Sequence, residues 1–201
     1  ENERDVEPLL EPVKSIVAQQ PGLRDGQKLL GQIYAQLDQI EEAYDAFAAA
    51  LTIDPVEAHL QNLAGTAAMM LGETTVAETH HRLAVQQLPD EPALMLPLAD
   101  VLIKTQRWDE ARGVLLRAME LNSTQHEPHA AMSDVYFGRG EPGDDTLAIE
   151  QIQKALAKLP MTPEWADQQV VYARKYARLH AARGEPMEAI AVLDQLAKNA
   201  E

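Results

Sequence analysis

The side chains best able to do chemistry in this chain are its six histidines and its 32 acidic residues. His126 and His129, with Glu127 between them, are spaced for one helical face, where two imidazoles could hold zinc or nickel. A metal needs at least a third ligand, and the pattern places none; His129 also falls where side chains pack inward. The expectation is two structural histidines and no metal. His80 and His81 are neighbours, so they leave a helix on different faces and form no chelating pair.

Nucleophilic and phosphate-binding chemistry find no foothold. The chain has no cysteine, which removes disulfides, thiolate zinc sites and cysteine catalysis. There is no Gly-x-Gly-x-x-Gly, Gly-x-x-x-x-Gly-Lys or Gly-x-Ser-x-Gly sequence, and no strand to precede one. The acidic pairs Glu41-Glu42 and Asp144-Asp145 fall in turns and first helical turns, where negative charge favours a helix start. An enzyme is not expected, nor a cofactor.

The elements that would position any site are helices. Of 201 residues 46% are hydrophobic but only 4% aromatic. Alanine supplies much of the apolar content, which suits close helix packing and not sheets. The net charge of −15 repels phosphate backbones and anionic bilayers, so nucleic acid is not an expected partner. No apolar run is long enough for a membrane span and no signal peptide is visible. The chain opens on Glu1, which reads as a processed product or a domain cut from something longer.

Self-similarity at a period of 34 residues organises the rest. Leu30-Gly31, Tyr34, Ala43, Phe47, Ala50 and Pro55 are followed by Ala64-Gly65, Ala68, Ala77, His81, Ala84 and Pro89. Next come Leu98-Ala99, Leu102, Ala111, Leu115 and Ala118, with Ser123 in place of proline. A fourth copy, Met132-Ser133, Tyr136, Ala148, Ile152, Ala155 and Pro160, needs three extra residues in its turn, placed within 142–146. The fifth is Tyr176-Ala177, His180, Ala189 and Leu193, with a longer first helix from about Pro163 to Ala182. Each copy therefore carries two apolar stripes at helical spacing. Small residues at Gly31, Ala43 and Ala50 sit where two helices nearly touch. His81 takes the core position of Phe47 and Leu115 and is expected to be neutral and hydrogen-bonded.

The pattern resembles the tetratricopeptide repeat family over essentially the whole chain, most fully in 24–57. The resemblance implies an all-α, right-handed α-solenoid of antiparallel helix pairs. It would comprise a half repeat or cap at 1–23, then an array at 24–201 divided into 24–57, 58–91, 92–125, 126–162 and 163–201. Asp38, Gly72, Gln106, Gly140 and Gly184 occupy the turn where a left-handed backbone is needed, which glycine suits and Gln106 does not. Pro21, Pro55, Pro89 and Pro160 close second helices. Pro97, inside a first helix, predicts a kink or loosened turn. No capping helix follows Ala189–Asn199, so that end either once continued or meets another subunit.

Stacked pairs would curve, leaving a concave face lined by first helices. The register puts Lys28, Gln32 and Gln36 there, then Asn62, Thr66, Met69 and Met70, then Leu96, Asp100, Ile103 and Lys104. Ala130, Asp134 and Phe137 follow, then Arg174, Lys175 and Arg178, with Arg183 close by. Met69, Met70, Leu96, Ile103 and Phe137 form an expected apolar centre, and the arginines and Lys175 a basic end suited to a carboxylate. Some family members grip a chaperone tail's carboxylate with lysines and asparagines. Lys28 matches one position, but Gln32, Leu63, Ala93 and Pro97 do not complete that clamp. The expected function is binding a protein or peptide. The alternatives are a self-associating scaffold joined through its terminal helices, or a soluble bacterial envelope-assembly domain like those of cytochrome c maturation, polysaccharide export and pilus assembly. Either periplasm or cytoplasm fits, the periplasm being preferred.

Overall fold

Helix starts recur at Arg24, Ala58 and Pro92 in a computed structural model that describes residues 6–160, 162–188, 190–191 and 194. The first helix, α1, spans Glu7–Gln19. The helix pairs are α2 (Arg24–Gln36) with α3 (Ile40–Ile53), and α4 (Ala58–Met70) with α5 (Thr74–Gln87). In chain order α6 (Pro92–Lys104) and α7 (Trp108–Leu121) follow, and then α8 (Glu127–Arg139) pairs with α9 (Asp144–Lys158). A 3₁₀ turn at Pro163–Trp165 leads into α10 (Ala166–Ala182). The long first helix expected from about Pro163 is thus a 3₁₀ turn followed by an α-helix. The described residues contain no strand. Ala189 and Leu193 lie outside the described residues.

Two compact units divide the chain at 101/102, within α6. In the first unit, Phe47, Ala43 and Ala50 of α3 pack with Leu60, Ala64 and Ala67 of α4. Val13 and Val17 of α1 join Leu30 and Ile33 of α2. In the second, Ala148, Ile152 and Ala155 of α9 pack with Ala130 of α8 and Tyr172 and Leu179 of α10.

Within a pair, the spacing of helices is set by one small residue under one large one. A Cβ added at Gly31 would stand 2.5 Å from Phe47 Cε1, and one at Gly65 would stand 2.7 Å from His81 Cε1. Both are far inside van der Waals contact, so each ring lies directly on glycine backbone. Between successive pairs, Gly138 in α8 is likewise covered by a ring, the indole of Trp108 at the start of α7.

The turns repeat as faithfully as the core. Asp38 and Gln106 adopt φ of 58° and 60°, beside 83° at Gly72, 68° at Gly140 and 79° at Gly184. The next amide reaches back five residues to a carbonyl: Gln39 to Tyr34, Glu73 to Ala68, Arg107 to Leu102 and Glu185 to His180, at 2.8–2.9 Å. This is the Schellman closure, and it holds Asp38 and Gln106 in a conformation that costs an L-residue energy. In the fourth pair the extra length follows Gly140. There the Glu141 amide donates to Asp144 Oδ2 at 3.0 Å, and buried Asp144 takes two hydrogen bonds from Arg139. Helix α6 runs through Pro97 as continuous helix. Ala93, whose carbonyl loses the amide that proline lacks, is an exposed residue.

Two stability predictions follow, both read by chemical denaturation. Gly31→Ala should cost about 1–3 kcal/mol by overpacking, and less on a Phe47→Leu background, because Leu is what the third repeat carries at this position. Gln106→Gly should stabilise by about 0.5–1 kcal/mol by relieving the left-handed residue.

Candidate functional site

The sequence-predicted lining separates into two sets. In the first unit, Gln32 of α2 with Thr66 and Met70 of α4 line one cleft of about 420 Å³. Val6, Leu9 of α1, Leu29 of α2 and Leu63 of α4 add apolar walls. Met70 is 60% exposed. Adjacent Met69 is half-buried and packs against Ala68, Ala77 and Val101, so it belongs mainly to the core. Gln36 also lines the cleft.

Other predicted residues are held by neighbours. Asn62 accepts a hydrogen bond at 3.0 Å from the ring of His81. Lys28 Nζ lies 3.4 Å from the Glu57 carboxylate. In α6, Leu96 and Ile103 are half-buried while Asp100 and Lys104 are exposed.

In the second unit the expected basic end is largely compensated. Lys175 pairs with Asp134 at 2.6 Å, and Arg178 lies 5.1 Å over the ring of Phe137. Arg183 lies 2.8 Å from Glu185 and 3.5 Å from Asp145. Arg174 is exposed. Phe137 and Arg183 line a second cleft of about 470 Å³ with Tyr136, Glu141, Pro142 and Leu179. Ala130, expected on this face, is instead buried among residues of α9 and α10.

Adjacent histidines are engaged separately. His80 donates Nδ1–H to Gln61 Oε1 at 2.6 Å and lies 3.4 Å from Tyr44 Oη. Gln61 donates in turn to the Pro55 carbonyl at 2.9 Å, tying α3, α4 and α5 to the turn between the first two pairs. His126 bonds Tyr172 Oη at 2.9 Å and meets Trp165 edge-on at 5.3 Å. His129 donates to Gln151 at 2.8 Å. No group of three or more His, Cys, Asp or Glu side chains able to hold a metal occurs among the described residues.

His81 is 1% exposed, and burial, with His80 alongside, depresses its pKa to about 4 from the ordinary 6.5. The pKa values of His80 and His129 are lowered by burial as well. Asp144 is held below the usual carboxylate value, first by its hydrogen bond from Arg139.

Tetratricopeptide repeat profiles match residues 68–135 and 29–57. These matches identify tetratricopeptide repeats within the chain. Tetratricopeptide repeat protein 21B of Xenopus laevis is 26% identical over 185 residues, covering 84% of this chain. The chain spans only 14% of that relative's length. A tetratricopeptide repeat protein from Parabacteroides merdae superimposes with a TM-score of 0.82 at 16% identity, over 98% of this chain and 74% of its own. YrrB, described as having an unusual peptide-binding site, gives 0.66 at 18% identity, over 93% of this chain and 91% of its own. These likenesses establish the fold, an all-α solenoid of helix pairs. No described helix is long and apolar enough to cross a membrane.

The histidine geometry generates a pH prediction. Above pH 6.5 His81 is neutral folded and unfolded, so it contributes no pH dependence. Between 6.5 and about 4 the unfolded chain takes up the proton first, so stability falls as pH falls, by at most about 3 kcal/mol. Asp144, whose folded pKa is also depressed, acts in the same direction but only at lower pH, as pH falls through the unfolded carboxylate value and below it. Thermal unfolding should therefore show a falling Tm from pH 7 to 4.5. His81→Phe, whose ring would rest on Gly65 as Phe47 rests on Gly31, should remove much of that slope.

Proposed function

We propose that this chain is a non-catalytic binding module that recognises a segment of another protein on its first-helix faces. The observation that carries this reading is the first-unit cleft. Exposed Leu29 and Met70, with half-buried Leu63, surround the polar side chains of Gln32, Gln36 and Thr66. Apolar walls with a few uncharged donors and acceptors suit the side chains and backbone of an extended or helical peptide. Methionine adds a surface that adapts to more than one ligand side chain. Phe137 with Arg178 stacked on it gives the second unit an amphipathic contact of its own, and Arg174 beside it is the cation best placed to meet a carboxylate.

A non-catalytic role agrees with how the ionisable groups are used. His80, His81, His126 and His129 are engaged with amide or phenol partners of the fold. The ion pairs Lys28–Glu57 and Lys175–Asp134 consume two of the cations assigned to the groove. What is left to a ligand is mostly apolar and hydrogen-bonding surface, so binding should depend little on salt.

An immobilised peptide array read with the natural chain, Met70→Glu and Arg174→Glu tests this, with light scattering on each protein. Met70→Glu should keep the fold and weaken binding at least about tenfold, since a carboxylate would be placed in an apolar cleft. Met69→Glu should instead lower thermal stability. Array binding that survives both Met70→Glu and Arg174→Glu would sink the reading, and a concentration-dependent oligomer would favour a self-associating scaffold.

A further inference from the structure

The third repeat departs from the others at the turn that follows its second helix. Pro55, Pro89 and Pro160 occupy that position elsewhere, and Ser123 replaces them here. The residue before it is Asp54, Leu88 or Leu159 in those repeats and Asn122 in this one, so the departure creates Asn122-Ser123-Thr124. An asparagine with serine or threonine two residues later, and anything but proline between, is the acceptor pattern for N-linked glycosylation. Proline at 123 would abolish it. Asn2, Asn62 and Asn199 lack the pattern, so this is its single instance in the chain.

The fold presents this segment as an acceptor needs it. Helix α7 ends at Leu121, and Asn122 takes extended backbone angles, φ −142° and ψ 94°. Ser123 and Thr124 are exposed. Asn122 Oδ1 accepts two hydrogen bonds, from the Thr124 amide at 3.1 Å and from Thr124 Oγ1 at 2.7 Å. Asp54 makes the same turn in the first unit, accepting from the Val56 amide at 3.3 Å. The turn itself is therefore a shared structural device. Asn122 adds to it an amide nitrogen, and Thr124 adds a hydroxyl that holds the amide by its oxygen. Nδ2 has no partner among the described residues and is not buried, so the atom to be modified stays open to solvent.

We propose that Asn122 is a site of N-linked glycosylation, modified on the folded chain. The donor is an oligosaccharide carried on a polyprenyl diphosphate. Nδ2 bonds to the anomeric carbon as the bond from that carbon to the diphosphate oxygen breaks. The diphosphate leaves with the bonding pair, and one Nδ2 proton passes to a base of the transferase. A transferase that also reads an acidic residue two positions before the asparagine finds Glu120 there, its side chain 68% exposed. The site is independent of peptide binding, since no residue of this turn lines either cleft described above. Helix α8, about 20 Å long, separates it from the Gly140 end of the second cleft.

The test has two arms, both read by intact mass and by fragmentation of the tryptic peptide that follows Arg117. The chain isolated from the cells that make it should carry a sugar mass on Asn122. Unmodified folded chain, given an oligosaccharyltransferase and a polyprenyl-diphosphate-linked oligosaccharide, should gain one oligosaccharide at the same residue. Thr124→Ser should keep that transfer and Thr124→Ala should slow it at least about tenfold. Ser123→Pro should abolish it while leaving thermal unfolding intact, because proline is what the other repeats carry there. An unmodified Asn122 in the isolated chain would overturn the proposal. So would failure of the folded chain to accept sugar, or transfer to Ser123→Pro equal to that of the natural chain.

Discussion

Everything in the first unit is spaced by the contact of a large side chain on bare backbone, Phe47 on Gly31 and His81 on Gly65. A short helix gains little from its own hydrogen bonds, so 13- and 14-residue helices persist only when packed. Close approach buries both stripes at once and brings the alanines at either side into full contact. Cations, methionines and turns are then placed by that spacing. His81 shows how strict the requirement is: a polar ring is accepted at the cost of being kept neutral and bonded to Asn62.

The helices and their turns were legible because they depend on residues close in sequence. The stripes of 43, 47 and 50 and their later copies define second helices, and the residue seven beyond each Gly31-type position takes the left-handed turn. That includes Asp38 and Gln106, where residue preference alone argues against it. The period proved a better guide to backbone conformation than composition at the single site. A Schellman amide and two packed helices fix the turn from both sides, and the misfit residue yields.

The surface was less legible, for two physical reasons. Adjacent residues on a helix are rotated by about 100°, so Met69 enters the core while Met70 faces solvent, and register to within one residue decides which. Pairing across helices depends on distances the sequence does not contain. Lys28 reaches Glu57, Lys175 reaches Asp134, and Asn62 reaches His81 only because of how far apart their helices lie. The contribution of Val6 and Leu9 to the cleft was not legible in the first-helix register, because they come from α1 and the residue before it.

The fourth turn reveals how the chain keeps count. Every helix pair measures a fixed distance from its small core residue to the left-handed residue, seven positions later, and Gly140 keeps that distance from Ser133. The three added residues fall after it, where the Asp144 carboxylate takes over the role of a backbone carbonyl for the Glu141 amide. The repeat is thus a ruler anchored at one end only. Length varies downstream of the anchor without disturbing the pair, which makes the segment after each left-handed residue the place where this architecture can accept new sequence.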